Sequence, residues 1–435
     1  MPLKNNEVGF YACGPTVYDG VHLGNLRTYI FEDILKKNLE YNGYEVRHIM
    51  NITDVEDKII KKMRDENKTL KEITEPYTKL FFEDLKKLNI KKADKFPKAT
   101  NHIKEMVKLI SVLLEKKIAY QSENDSVYFD TSKFKKYGDF SRIDKENLKH
   151  GARVEADEYN KKNAGDFILW KRANDEPSWN APRLGRGRPG WHIECSAMSM
   201  KYLGETFDIH AGAIDLLFPH HENEIAQSEA VTDKQFVKFW VEGEHLLVDN
   251  QKMSKSLKNF YTLEDIEKRN FNPLAFRFLA LNTHYRNKLN FTWAGLEAAQ
   301  SGLNHLKERV RELGKTKRKI NLKFKKEFTE KINDDLNIPQ ALAVLQKLLK
   351  SNLNSEDKLA TALDFDKVLG LKLAETKKEE IKIPKKVQKL AEEREKARQK
   401  KDWRKADELR EKINKLSYEI KDLTKDNYVI IARTK

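Results

Sequence analysis

Apolar and polar positions fall into short, regular blocks along the first fifty residues. EVGFYACG, which begins at Glu7, has the character of a strand. Leu26, Ile30, Ile34, Leu35 and Leu39 then share one stripe, which predicts a helix from Gly24 to Asn42 with Gly43 as its stop. YEVRHIMNI reads as a second strand. The opening is therefore β-α-β, the start of a doubly wound parallel sheet of Rossmann-like α/β type. Two amphipathic helices are expected next, near Thr69–Leu88 and Asn101–Lys117.

The character changes between residues 118 and 190. Short strands such as SVYFD lead to a loop-rich run around Asp175–Pro189, and GRGRPG alone holds four glycine or proline residues. This reads as a connective domain inserted between two halves of a sheet. The helix–strand alternation resumes with ECSAMSMKYLG, ETFDIH and PHHENEIAQSEA, and beyond about residue 265 the pattern is mostly helical. Pro384 marks a boundary, and Val387–Leu416 reads as one or two basic helices with a break near Asp402. The expected units are 1–117 and 191–265 as two halves of the sheet domain, 118–190 as the insertion, 266–383 as a helical region and 384–435 as a basic end. No internal repeat and no GxGxxG is present.

Composition narrows the class. A chain of 435 residues favours two to four domains. Charged residues make up 35%, mean hydropathy is -0.75, and no apolar run is long enough to span a bilayer. The start, MPLKNNEVGF, lacks the features of a signal or transit peptide. Two cysteines argue against a disulfide framework and for a reducing, cytoplasmic setting. Net charge is +15 with pI about 9.3, which favours a polyanionic partner. From Ile381 onward there are 18 Lys or Arg against 10 Asp or Glu, so more than half of the excess lies in the last 55 residues. A solvated helical face accounts for that charge as well as a nucleic-acid surface does.

Three groups of residues carry chemistry. Cys13, Cys195, His220 and Glu224 are all good zinc ligands, and the four-residue step from His220 to Glu224 puts both side chains on one helix face. By ligand type alone, two buried cysteines and an ordinary helix pair explain them equally well. His22-Leu23-Gly24-Asn25 lies between a strand and a helix, where a helix N-terminus favours phosphate; a polar turn is the simpler reading. Lys252-Met253-Ser254-Lys255-Ser256 offers two ammonium groups on a loop that can close on a triphosphate.

HLGN followed about 230 residues later by KMSKS resembles the paired signature of class I aminoacyl-tRNA synthetases. YACGPTVYDGVHLGN, NITDVEDKII, GWHIECSAMS, DIHAGAIDLLFPHHENEIAQS and KMSKS together resemble the cysteinyl-tRNA synthetase family, in order from Val8 to about Phe260. The match continues more weakly through DDLNIPQALAVL and KARQKKDWRKADELREKI. The resemblance implies cysteine activation by ATP and transfer to tRNA(Cys), by a monomer with one zinc ion, and Mg²⁺ accompanying ATP. It implies that Cys13, Cys195, His220 and Glu224 hold that zinc in the active site, where it binds the substrate thiolate. His22, Gly24, Asn25, Lys252 and Lys255 would handle ATP, with His22 and the two lysines catalytic. Thr53, Trp191, His192, His210 and Asp215 would line the amino-acid pocket, Asp215 as the partner of the substrate ammonium. Three departures stand out: Asn25 replaces the second histidine of the generic motif, the leader before Cys13 is short, and Ser417-Tyr418 occupies a place where a glycine is expected. A ligase joining cysteine to an amino sugar, and a non-catalytic zinc protein that binds RNA, are the competing readings.

Overall fold

The structure, a computed structural model, describes residues 1–143, 165–254, 257, 259–314, 319–375, 384–416, 418–424 and 427–432. Strand β1 (Glu7–Ala12), helix α1 (Leu23–Tyr41) and strand β2 (Glu45–Met50) form the opening unit. β1 and β2 run parallel, paired from Glu7 with Glu45 to Ala12 with Met50. Helices α2 (Asp57–Glu66), α3 (Leu70–Lys87) and α4 (Ile103–Glu115) follow. Thr69 caps α3 through a reciprocal pair with Glu72, the reason the helix begins where it does.

The middle of the chain folds as an antiparallel sheet of β3 (Ala119–Gln121), β4 (Val127–Phe129), β5 (Phe167–Arg172), β6 (Trp179–Ala181) and β7 (Gly185–Pro189), in the order β3-β4-β5-β7-β6. Helix α5 (Trp191–Leu203), strand β8 (Phe207–Ala213), helix α6 (Glu222–Thr232) and strand β9 (Val237–Gly243) then return to the first sheet. That sheet has the order β2-β1-β8-β9 and all its pairs are parallel. The strand order reverses direction at β1, which opens a crevice at the carboxyl ends of β1 and β8.

A small sheet of β10 (Leu246–Val248), β11 (Gln251–Lys252) and a later strand carries the start of KMSKS. Helices α7 (Leu263–Lys268) and α8 (Pro273–Leu281) precede that strand, β12 (Leu289–Phe291), which pairs parallel with β10. Helices α9 (Trp293–Glu312), α10 (Leu322–Asn333), α11 (Ile338–Lys350) and α12 (Ser355–Leu369) complete the helical region. A buried ion pair, Arg277 to Asp33 at 2.6 Å, fastens α8 to α1, and the same guanidinium donates to the carbonyls of Leu369 and Leu88.

The basic end is two helices, α13 (Lys385–Gln399) and α14 (Trp403–Lys415), followed by a hairpin of β13 (Tyr418–Thr424) and β14 (Asn427–Ala432). Asp402 makes the break by accepting from the Lys405 amide as an N-cap. Neither β12 nor this hairpin was expected from the sequence. Among the described residues no helix is long and apolar enough to cross a membrane.

Candidate functional site

Cys13 follows the last residue of β1 directly, and Cys195 lies in the second turn of α5. His220 sits in the turn 217–221 that leads into α6, and Glu224 is in the first turn of that helix. His220 is therefore not in the regular helix, yet the right-handed conformation of His221 and Glu222 preserves the helical step to Glu224. The four segments meet: one ligand atom from each of Cys13, Cys195, His220 and Glu224 lies within 4.8 Å of the others, and the cluster is buried. The two sulfurs are 4.0 Å apart, and His220 Nε2 is 3.1 Å from Glu224 Oε1. Gly14 lets this happen, because a Cβ there would stand 1.7 Å from the carbonyl oxygen of Asn51. β1 and β2 could not otherwise approach so closely beside Cys13.

Charges in the cluster are arranged for a cation. Burial alone would raise the Glu224 carboxyl, but His210 and His220 beside it hold it well below the usual carboxylate range. Burial would lower His220, yet Glu224 and Cys195 lift it to about 10. The hydrogen bond from Cys13 draws Cys195 down to about 6 against the effect of burial, while burial and that same contact push Cys13 up. Near neutral pH, His220 and Cys13 thus each carry a proton that a metal ion must displace. Metal uptake should release about two protons, and apparent affinity should weaken by up to about a hundredfold per unit as pH falls through neutrality. Competition with a chromogenic chelator across that range checks this; a flat profile would contradict it.

A second ring of groups orients the first. His192, kept neutral by burial and by the neighbouring His220, accepts at Nδ1 from His220 Nδ1–H at 2.9 Å. His220 Nε2 is thereby turned towards Glu224. Trp191 packs on the His220 ring, with centroids 4.2 Å apart. His210 donates from Nε2 to Glu224 Oε2 at 3.0 Å, so it supports a ligand directly. His221, set aside in the sequence because only His220 has the four-residue step to Glu224, forms a 2.7 Å pair with Glu242, which sequence reasoning missed. No motif surrounds Glu242, although the adjacent histidines were a visible signal.

The other expected residues are placed as follows. Thr53 donates to Glu194 at 3.0 Å and accepts from Asn51 at 3.1 Å, which leaves a lone pair on its hydroxyl. Asp215 is exposed on the short turn Ile214–Leu216, outside the buried cluster. Beside the cluster lies a cavity of about 510 Å³ whose walls include Trp191, His192, Phe218, Tyr18, Lys58 and Arg188. Glu222 ties the insertion to α6 by accepting from the amides of Gly138 and Ser141.

His22 is the N-cap of α1: its Nδ1 accepts from the Asn25 backbone amide while the Asn25 side-chain Oδ1 accepts from the His22 backbone amide. Gly24 is needed there, since a Cβ would lie 2.8 Å from the His22 ring. The chain beyond KMSKS is stitched to this turn, with the Leu23 amide donating to the Tyr261 carbonyl at 2.9 Å. Arg27, one turn on, donates to the carbonyls of Glu244 and His245 at the foot of β10. Lys252 is exposed at the end of β11; Lys255 lies outside the described residues.

At the basic end, Lys386, Lys401, Arg404 and Arg410 are exposed, as is Trp403 at 60%. Arg394 belongs to the same basic stretch but is buried and cannot meet a phosphate. Arg398 is half-buried and pairs with Glu395.

Two family descriptions match the chain: the class I (C) tRNA synthetase catalytic domain over residues 1–301, and the cysteinyl-tRNA ligase anticodon-binding domain over residues 382–429. Cysteine–tRNA ligase of Protochlamydia amoebophila is 44% identical over 447 residues, covering 97% of this chain and 93% of the relative. The corresponding ligase of Brachyspira hyodysenteriae is 44% identical over 448 residues, with 97% and 94% covered. In three dimensions the chain is similar to Mycobacterium tuberculosis methionyl-tRNA synthetase in complex with methionyl-adenylate. The TM-score is 0.60 at 12% identity, over 84% of this chain and 90% of that one. Agrobacterium radiobacter LeuRS in a ternary complex gives 0.58 at 10% identity, over 85% and 84%. These structural likenesses concern the fold.

Proposed function

The chain belongs to the cysteine–tRNA ligase family of class I aminoacyl-tRNA synthetases, and from that premise we infer how its residues divide the reaction. The enzyme uses ATP to activate L-cysteine and charges tRNA(Cys) with it. The cysteine carboxylate attacks the α-phosphate in line, giving cysteinyl-adenylate and pyrophosphate, and the terminal ribose hydroxyl of tRNA then takes the acyl group, losing its proton as AMP leaves. No side chain forms a covalent intermediate, so catalysis consists of positioning and charge stabilisation.

His22 and the N-terminal end of α1 receive the phosphates of ATP, which arrives with Mg²⁺; Gly24 and Asn25 shape that turn. Lys252 and Lys255 stabilise the charge that develops during attack. Thr53 offers its remaining lone pair, Trp191 covers the pocket, His210 steadies Glu224, and Asp215 supplies a carboxylate for the substrate ammonium. The residue set Cys13, Cys195, His220 and Glu224 suits zinc, because two thiolates with imidazole and carboxylate disfavour Mg²⁺ and Ca²⁺. Zinc held by these four residues would supply an affinity for the substrate thiolate. The convergence of these four donors beside an open cavity is the observation that supports this reading.

We assign 1–117 and 191–265 to the catalytic domain, 118–190 to the connective insertion, 266–383 to the helical stem-contact region and 384–435 to anticodon binding, in a cytoplasmic monomer. Aminoacylation of total tRNA with each amino acid in turn, beside metal analysis, tests the function. Charging with another amino acid, or cysteine joined only to an amino sugar, would overturn it. Truncation after Ile383 should leave cysteine-dependent pyrophosphate exchange intact and impair charging, since phosphate contacts from Lys386, Lys401, Arg404 and Arg410 are lost. Equal loss of both activities in a folded truncated protein would remove the assignment of the basic end.

A further inference from the structure

Six metal-binding side chains, not four, crowd the buried cluster. Beside Cys13, Cys195, His220 and Glu224, a second overlapping group of Cys13, His210, His221 and Glu224 also brings one ligand atom from each within 4.8 Å. Cys13 and Glu224 belong to both. Glu224 presents Oε1 to His220 at 3.1 Å and Oε2 to His210 at 3.0 Å, so its two oxygens serve the two groups separately. The Cys13 sulfur is 4.0 Å from that of Cys195 and 3.7 Å from His221 Nε2. A tetrahedral ion with bonds of zinc length has ligand–ligand edges of roughly 3.3–3.8 Å, close to both sets of spacings. Glu242 accepts from His221 Nδ1, which turns Nε2 towards Cys13 in the way that outer carboxylates orient metal-binding imidazoles.

We propose that a single metal ion has two alternative seats in this cluster, the second formed by Cys13, His210, His221 and Glu224. The inference rests on the metal reading above and extends it. The first seat carries two sulfurs and lies on the cavity side, where Trp191 covers His220. The second has one sulfur and two imidazoles, and both rings are fully buried against Trp240, with centroids 4.5 and 4.9 Å away. Thiolate-rich coordination favours zinc in the first seat. None of the aromatic rings packed on His210 or His221 lines the cavity, so an ion in the second seat would sit on the side away from a substrate entering there. The enzyme can therefore be loaded with metal and yet be unable to bind a thiol.

The test is a double-mutant cycle read by metal content and chelator competition on the full-length protein. Wild type, Cys195→Ser and His221→Ala should each retain about one zinc, whereas Cys195→Ser combined with His221→Ala should bind at least about 10²-fold more weakly than either single variant. X-ray absorption of zinc-loaded Cys195→Ser should show two imidazoles rather than one. Cys13→Ser, which removes a shared ligand, should lose the ion. A double variant that binds as Cys195→Ser does, or a Cys195→Ser protein with one imidazole on its metal or none bound, overturns the second seat. Two ions held at once in the wild type overturn its exclusive character. A metal-free wild type instead removes the reading on which both seats depend. An unfolding curve of each variant controls for folding.

Discussion

Cys195→Ser and His220→Ala abolish the preference for cysteine over serine. A pocket without a chemical handle separates close isosteres by only about 10²-fold. Zinc-loaded wild type should exceed that ratio by a wide margin, because a metal-bound thiolate has no equal in a serine hydroxyl, and because coordination favours the ionised thiol. Each variant removes one side chain of the proposed zinc set, while Cys13 and Glu224 remain. Cysteine-dependent pyrophosphate exchange should fall to near the serine level, whether or not an ion stays in the protein. The measurement is exchange with cysteine and with serine, beside metal content and an unfolding curve. A zinc-free protein that still rejects serine strongly would show that selection rests elsewhere.

Lys252→Ala slows adenylate formation far more than it weakens ATP binding. Lys252 stands exposed at the end of β11, clear of the buried cluster, so its substitution leaves the amino-acid side untouched. A preorganised charge contact made in the transition state is worth roughly 2.7–4 kcal/mol, or about 10²–10³ in rate. Single-turnover adenylation at saturating ATP reads the rate, and its concentration dependence reads the binding. An unchanged rate with weaker ATP binding would assign Lys252 to ground-state binding alone.

Much of this was legible before any coordinates. The stripe through Leu26, Ile30 and Ile34 located α1 to within a residue at each end, because a helix packed on a sheet must repeat its apolar face. Cys13, Cys195, His220 and Glu224 stood out through the scarcity of cysteine and the step of four. β12 did not, since three residues carry too little periodicity and its pairing with β10 is tertiary. Glu242 was invisible for the same reason: its partner lies 21 residues away on another element. Arg394 is a different case. Val387, Ala391 and Arg394 share one helical face, and the first two are apolar, so the pattern contained the sign that this arginine points inward.

The stitching of α1 to both flanks of KMSKS has a kinetic consequence. β11 is paired to β10, whose foot Arg27 grips from α1, and Tyr261 is held by the Leu23 amide. Lys252 and Tyr261 are thus both anchored to the α1 end, and the chain length between them, at roughly 3.3 Å per residue, keeps every residue of the segment within about 15 Å of one anchor. If Lys252 and Lys255 act on phosphates at the α1 end as proposed, their effective concentration there is set by the length of this segment. Lengthening the segment with inserted glycines should dilute them and slow adenylation even with every lysine in place.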